Sequence, residues 1–180
     1  MDIEKDSIQF KKIMKENGEY LIRLAFSYVK NWSTAEDIVQ EVFVTYYQKS
    51  DQFEKRSSIR TYLAKITVNK CHDYLRNWKN KIPFYTNLLM RQSLSNQDSP
   101  EKLVINKDKN DRLIQEILDM SIKYREVILL FYYQEFTILE ISNILNISEN
   151  TIKTRLSRAK AILKSKLDGI EWEVILREQS

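Results

Sequence analysis

Residues 137–163, TILEISNILNISENTIKTRLSRAKAIL, fall into two helical periods separated by three residues, and this restricts the fold more than any other stretch. Thr137 followed three residues later by Glu140 forms a capping box, in which two backbone N–H groups are satisfied reciprocally at a helix start. Ile138, Ile141, Ile144 and Leu145 then recur at helical spacing. The pattern breaks at Asn146-Ile147-Ser148. Asparagine is the usual substitute for glycine where a turn needs positive φ, and Ser148 can cap a further helix whose inner face is Ile152, Leu156, Ala159 and Leu163. A helix, a three-residue turn plugged by Ile147 and a second helix have the spacing of a helix-turn-helix.

Burying Ile152, Leu156 and Ala159 forces the second helix to expose Asn150, Thr151, Lys153, Thr154, Arg155, Ser157 and Arg158. Short hydrogen-bonding groups suit base edges and cations suit phosphates, so this face is a candidate DNA reader. The competing reading is an ordinary helical hairpin with a solvated basic face.

The rest of the chain is consistent with helices throughout. Two glycines and two prolines in 180 residues leave no evenly spaced turn clusters of the kind a sandwich or barrel requires. Both prolines, Pro83 and Pro100, lie in one charge-balanced stretch without sustained helical periodicity. The expected fold is therefore all-α: two small helical domains, residues 1–82 and 109–180, joined by a flexible linker at 83–108, with the helix-turn-helix in the second.

In the first domain a helix is expected from Ile8 to Tyr28. A second starts at a Ser33–Glu36 capping box and buries Ala35, Ile38, Val39, Val42, Phe43 and Tyr46, leaving Asp37, Gln40 and Glu41 outward. A polar loop, Gln52 to Ser58, leads to a third helix from about Ile59 to Trp78. In the second domain, helices near Asp111 to Met120 and from Ile122 to Gln134 precede the helix-turn-helix.

The net charge of +4 is modest, but its distribution is uneven. Between Lys55 and Lys81 eight Lys and Arg face one acid, Asp73, and between Glu149 and Lys166 six face Glu149 alone. The stretch Glu36 to Glu54 is the reverse, five acids against Lys49, and suits a protein partner better than a polyanion. A basic helix such as Ile59–Trp78 is by default a solvated face. Phe53, Tyr62, Tyr74 and Trp78 among its cations move the balance toward unstacked bases held on rings, although these rings could equally be core.

Two further segments carry a resemblance. LIRLAFSYVKNWSTAEDIVQEVFVTYYQ resembles region 2 of the extracytoplasmic-function sigma factors of bacterial RNA polymerase, in which an Ala-Glu-Asp-Ile-Val-Gln-Glu-Val-Phe helix, here Ala35 to Phe43, docks on the polymerase. SSIRTYLAKITVNKCHDYLRN resembles the following helix, which in that family melts and reads the minus-ten promoter element, with Asn69, Asp73 and Arg76 on matching positions. The helix-turn-helix resembles region 4, the minus-thirty-five reader, and domain order, linker and length agree across nearly the whole chain.

The resemblance implies that Asp37, Gln40 and Glu41 contact core RNA polymerase. It implies that Asn69 and the loop Gln52 to Ser58 accept an unstacked promoter base, and that Arg60, Lys65, Lys70 and Arg76 neutralise phosphates at the minus-ten element. Asp73 and Arg76 can also be a local i, i+3 ion pair. At the minus-thirty-five element, Asn150, Thr151, Lys153, Thr154, Arg155, Ser157 and Arg158 would contact promoter DNA. The family is commonly held inactive by a membrane-anchored anti-sigma factor, so such a partner is implied, and with it a cytoplasmic protein held at the membrane.

Catalysis is not expected. Cys71 and His72 are adjacent and diverge by about 100° on a helix, which excludes a dyad or compact metal site, and a lone half-buried cysteine is the simpler reading. Gly-rich phosphate loops, paired His or Cys spacings and nucleophile elbows are missing, so no metal, cofactor or small-molecule substrate is expected. The single cysteine fits a reducing cytoplasm, and no run of about 18 apolar residues would insert in a membrane. The C-terminal EWEVILREQS is expected to form a short helix on the second domain. Two other functions compete: a dimeric helix-turn-helix regulator acting without polymerase on a palindrome, and a helical adaptor whose basic faces contact acidic proteins without salt-dependent DNA affinity.

Overall fold

A computed structural model describes residues 3–49, 57–85, 107–167 and 170–178. Among these residues the chain is helical without strands: α1 (Ile3–Val29), α2 (Trp32–Gln48), α3 (Ile59–Tyr85), α4 (Lys107–Asp119), α5 (Ile122–Ile128) running into a π-turn (Leu129–Tyr133), α6 (Ile138–Leu145), α7 (Glu149–Lys166) and α8 (Trp172–Glu178). Most of the expected loop Gln52 to Ser58, with Phe53, and most of the linker 83–108 lie outside the described residues.

Helices α1, α2 and α3 pack mutually around Leu21, Leu24, Ala25, Ala35, Val42, Leu63, Ala64 and Val68, each 2 % exposed or less. The start of α2 differs from the expected capping box. Asn31, in extended conformation, caps it by accepting a hydrogen bond from the Thr34 N–H at 2.9 Å, so Ser33 lies inside the first turn. The α1–α2 turn is short, with Lys30 at φ 55° reversing the chain directly into Asn31, and asparagine is as good an N-cap as serine. Ser58 caps α3, accepting from the Thr61 N–H at 3.0 Å. That helix continues to Tyr85, seven residues past the expected end at Trp78. Pro83 therefore stands in its last turn, two residues before the helix ends, so little of the helix follows the hydrogen bond that proline cannot make.

In the second half the expected helix from Ile122 to Gln134 is α-helical only to Ile128. From there the Gln134 N–H reaches back five residues to the Leu129 carbonyl at 2.9 Å, and Glu135 at φ 53° reverses the chain. The wider turn buries Leu130 and Tyr132 on one side and Gln134 and Phe136 toward the first half. The helix-turn-helix follows as expected. Thr137 and Glu140 make both capping-box hydrogen bonds, Asn146 is left-handed at φ 54°, ψ 45°, and Ser148 caps α7. Trp172 of α8 packs edge-on to Tyr132, and Lys160 of α7 pairs with Glu173 at 3.0 Å, so the C-terminal helix braces the back of α7.

The two halves pack on one another, with α6 against α3 and α5 against α1, and they share one apolar core. Among the described residues no helix is long and apolar enough to cross a membrane.

Candidate nucleic-acid interface

Two faces carry the candidate residues. On α7, burial of Ile152, Leu156, Ala159 and Leu163 leaves Asn150, Lys153, Thr154, Ser157 and Arg158 exposed, with Thr151 half-buried. The hydroxyls are already oriented. Thr151 lies 2.9 Å from the Ser148 hydroxyl, and Thr154 donates back to the Asn150 carbonyl at 2.9 Å. Lys153 and Ser157 project into solvent. Arg155 differs from its expected role, because it turns inward and donates to Glu126 Oε1 at 3.0 Å.

Glu126 was not legible as a functional residue. It is 5 % exposed, and its other oxygen, Oε2, both accepts from Tyr28 Oη at 3.1 Å and lies 3.1 Å from His72 Nε2, so one carboxylate joins α1, α3, α5 and α7. A buried carboxylate without partners is strongly disfavoured, and these contacts offset that cost. Beside it Arg125 donates to the Ser27 carbonyl of α1 and, at 3.1 Å, to the Met120 carbonyl. The only available signal was a charged pair, Arg125-Glu126, opening an apolar run. A sequence pattern does not say which charges turn inward.

On α3 the five expected minus-ten residues are exposed or half-buried, but at about 100° per residue only Lys65, Asn69 and Arg76 share one face, and three of the five are occupied. Arg60 donates to Gln134 Oε1 at 3.0 Å and its guanidinium carbon lies 5.1 Å and 5.3 Å from the Tyr20 and Phe136 ring centres. Lys70 meets Glu41 at 3.0 Å, and Arg76 pairs with Asp73 as the i, i+3 alternative anticipated. Lys65 and Asn69 face solvent. Next to Arg60, Thr61 donates at 2.9 Å to Glu140, whose other oxygen closes the capping box of α6. Burial would raise the Glu140 carboxyl, but hydrogen bonds from the Thr137 N–H and hydroxyl and from Thr61 outweigh it and hold the group below the usual glutamate range.

Of the rings, Tyr62 and Tyr74 pack partly against the core, and the Trp78 side chain and Phe53 lie outside the described residues. On α2, Asp37, Gln40 and Glu41 are exposed, and the same helix exposes Val44 and Tyr47, at 55 % and 59 %. Such a mixed acidic and apolar face suits a protein surface better than DNA. Cys71 is fully buried rather than half-buried, and burial pushes its thiol up to about 12. His72, the neighbouring residue, points to Glu126 instead.

The comparisons with known proteins follow this layout. Residues 13–80 match sigma-70 region 2 and residues 110–163 match sigma-70 region 4. The ECF RNA polymerase sigma factor SigW of Bacillus subtilis is 30 % identical over 171 residues, 90 % of each chain. SigM of the same organism, also an ECF RNA polymerase sigma factor, is 30 % identical over 143 residues, 79 % of this chain and 85 % of SigM. Among solved structures, the sigma factor RpoE in complex with the anti-sigma factor NepR from Bartonella quintana has the same fold: TM-score 0.74 at 22 % identity, over 89 % of this chain and 98 % of that one. CnrH, solved with the cytosolic domain of CnrY, gives 0.62 at 22 % identity, over 88 % and 87 %. With a region 2 fold preceding a region 4 helix-turn-helix and nine-tenths of SigW matched, the chain belongs to the extracytoplasmic-function family of RNA polymerase sigma factors, which direct promoter-specific transcription initiation.

Proposed function

We propose that the division of labour within this sigma factor follows the exposed residues of three helices, α2, α3 and α7. Residues 1–82 bind core polymerase through Asp37, Gln40 and Glu41 and the minus-ten element through Arg60, Lys65, Asn69, Lys70 and Arg76. Residues 109–180 set α7 in the major groove of the minus-thirty-five element, with Asn150, Thr151, Thr154 and Ser157 toward bases and Lys153 and Arg158 toward phosphates. Arg155 takes a supporting part, holding α7 to α5 through Glu126. The observation that carries this reading is the left-handed Asn146 turn between two capped helices, which aims an exposed polar and basic α7 outward from a buried apolar face.

Binding both promoter elements requires α3 to give up Gln134 and Glu140 of the second half, so the compact arrangement is the form without DNA. An anti-sigma partner fits this form. RpoE and CnrH were solved with NepR and with the cytosolic domain of CnrY, and both share this fold. A membrane-held anti-sigma factor would place the protein on the cytoplasmic side.

Run-off transcription with core polymerase, with and without the protein, on genomic fragments including the region upstream of its own gene tests this. Specific initiation that is lost on Asp37→Lys with Glu41→Lys supports the docking face. Initiation that survives both reversals sinks the α2 assignment. Tight duplex binding without polymerase and no initiation on any fragment would favour the free regulator.

A further inference from the structure

The flank of α7 that faces α5 holds a cleft that the helix-turn-helix alone does not use. Its volume is about 380 Å³, with Lys123 and Tyr124 from the start of α5 on one wall and Asn150, Thr151, Arg155 and Arg158 of α7 on the other. Among the described residues no carboxylate lines it. Glu126, on the same short helix, is turned into the buried contact with Arg155 and leaves the opening to cations and hydroxyls. Tyr124 is hydrogen-bonded to Arg158, and this bond, ahead of the nearby Lys123 charge, holds the phenol below its ordinary range. The Lys123 ammonium lies 4.9 Å from the centre of the Tyr124 ring, so it and Arg158 gather about one side chain.

The position of the cleft matters as much as its charge. A helix lying in a major groove about 12 Å wide has a phosphate strand along each flank. In a helix-turn-helix the first helix, here α6, crosses the backbone on one side. At about 100° per residue, Thr151, Arg155 and Arg158 lie together on the flank toward α5, one edge of the exposed surface that Asn150 and Thr154 continue. The strand along that flank therefore passes the mouth of the cleft.

We propose that Lys123, Tyr124 and Arg158 seat one DNA backbone phosphate, which makes the start of α5 a third DNA-contacting element of the second domain. The ammonium supplies a compact charge, the guanidinium a fork for the two non-bridging oxygens, and the phenol a directed O–H donor to one of them. This seat rests on the assignment of α7 to the minus-thirty-five groove. It adds affinity and register but reads no base.

The test uses the full chain with core polymerase on a promoter fragment that supports run-off, comparing wild type, Lys123→Ala and Tyr124→Phe. Lys123 is exposed, and the phenylalanine keeps the ring, so both variants retain the fold. Removing Lys123 is expected to reduce the slope of log K against log salt by about 0.9, equally on fragments that differ in their minus-thirty-five bases. Neutral methylphosphonates placed one at a time along the minus-thirty-five duplex should weaken wild type at one phosphate to which Lys123→Ala is indifferent. A general field effect of the lysine would not produce that single-site loss of sensitivity. Tyr124→Phe should weaken binding with little change of slope. Parent slope and methylphosphonate profile in Lys123→Ala, or parent affinity in Tyr124→Phe, overturn the three-residue seat. A wild type whose affinity is indifferent to base changes and to methylphosphonates throughout the minus-thirty-five duplex overturns the assignment of α7 to that groove, a failure separable from the other two.

Discussion

Helices α3 and α7 are both basic, and both are assigned to DNA, yet they present their charges differently. On α7, Lys153 and Arg158 remain on the exposed face, Arg158 beside Tyr124, while Arg155 is drawn inward to Glu126 and, further along the helix, Lys160 and Lys166 pair with Glu173 and Glu116. On α3, Arg60, Lys70 and Arg76 each hold a partner within the chain, and Lys65 and Asn69 are left facing solvent. Helix α7 can therefore meet DNA with little rearrangement, whereas α3 must exchange intramolecular contacts for nucleic-acid ones. Charge counts treat the two segments alike. What separates them is which carboxylates and amides the fold brings alongside, and for α3 several belong to the opposite half of the molecule.

Glu126 is where the two halves depend on each other most, so its removal should break the comparison. Glu126→Ala leaves Arg155 without its partner and the Tyr28 hydroxyl and His72 ring without theirs, at a site 5 % exposed. The expected loss of stability is about 3 kcal/mol in denaturant unfolding. Tyr28→Phe removes only the arm from α1 and should cost about 1 kcal/mol. If Glu126→Ala costs no more than Tyr28→Phe, the carboxylate is not the hub that the geometry makes it.

The second domain was the more legible half because local chemistry dictates it. The Thr137–Glu140 box, the Asn146 turn and the Ser148 cap each act over three or four residues, and each formed as the sequence indicated. The misjudged features have non-local or competing causes. Asn31 won over Ser33 because the reversal at Lys30 delivers the chain to it first. The π-turn at Leu129–Tyr133 is invisible to a 3.6-residue period, since its apolar run reads as helix whichever carbonyl each N–H selects. The exposed face of α7 followed from its stripe, but the inward turn of Arg155 required knowing that Glu126 lies opposite.

The αL turn offers the next test, confined to the second domain. Asn146→Ala puts an alanine at φ 54° and should cost about 1 kcal/mol, while Asn146→Gly should be neutral or slightly stabilising. Equal stability of all three would mean that the turn is not held left-handed. Both variants should leave unfolding of the first half unchanged only to the extent that the halves uncouple, so a single shared transition in each also reports how tightly α6 holds α3.

Glu140 couples the halves through Thr61 and titrates. Its folded-state carboxyl lies below the usual range, so the stability it contributes is present above the ordinary glutamate pKa and is lost as pH falls through the depressed folded value. Glu140→Gln should therefore be less stable than wild type at neutral pH, by about 0.5 kcal/mol, with the gap closing on acidification. A gap independent of pH would mean that shape, not the carboxylate charge, makes the contact.

The smallest effect sharpens the comparison with which α3 and α7 began. Lys70 and Lys65 lie on the same helix, but among the described residues only Lys70 has an acid at hand, Glu41 at 3.0 Å. The pair is partly exposed, so Lys70→Ala should cost about 0.3 kcal/mol of stability and Lys65→Ala nothing measurable. In promoter binding the order should reverse. Lys65 carries its charge to a phosphate without giving anything up, whereas Lys70 must first leave Glu41, a residue that the α2 assignment commits to polymerase. Lys65→Ala should then lower holoenzyme affinity for promoter DNA more than Lys70→Ala, and the difference should narrow in a Glu41→Gln background. If Lys70→Ala is instead the more damaging and Glu41→Gln changes nothing, the α3 surface is not limited by its internal contacts, and the contrast with α7 would lie in position alone.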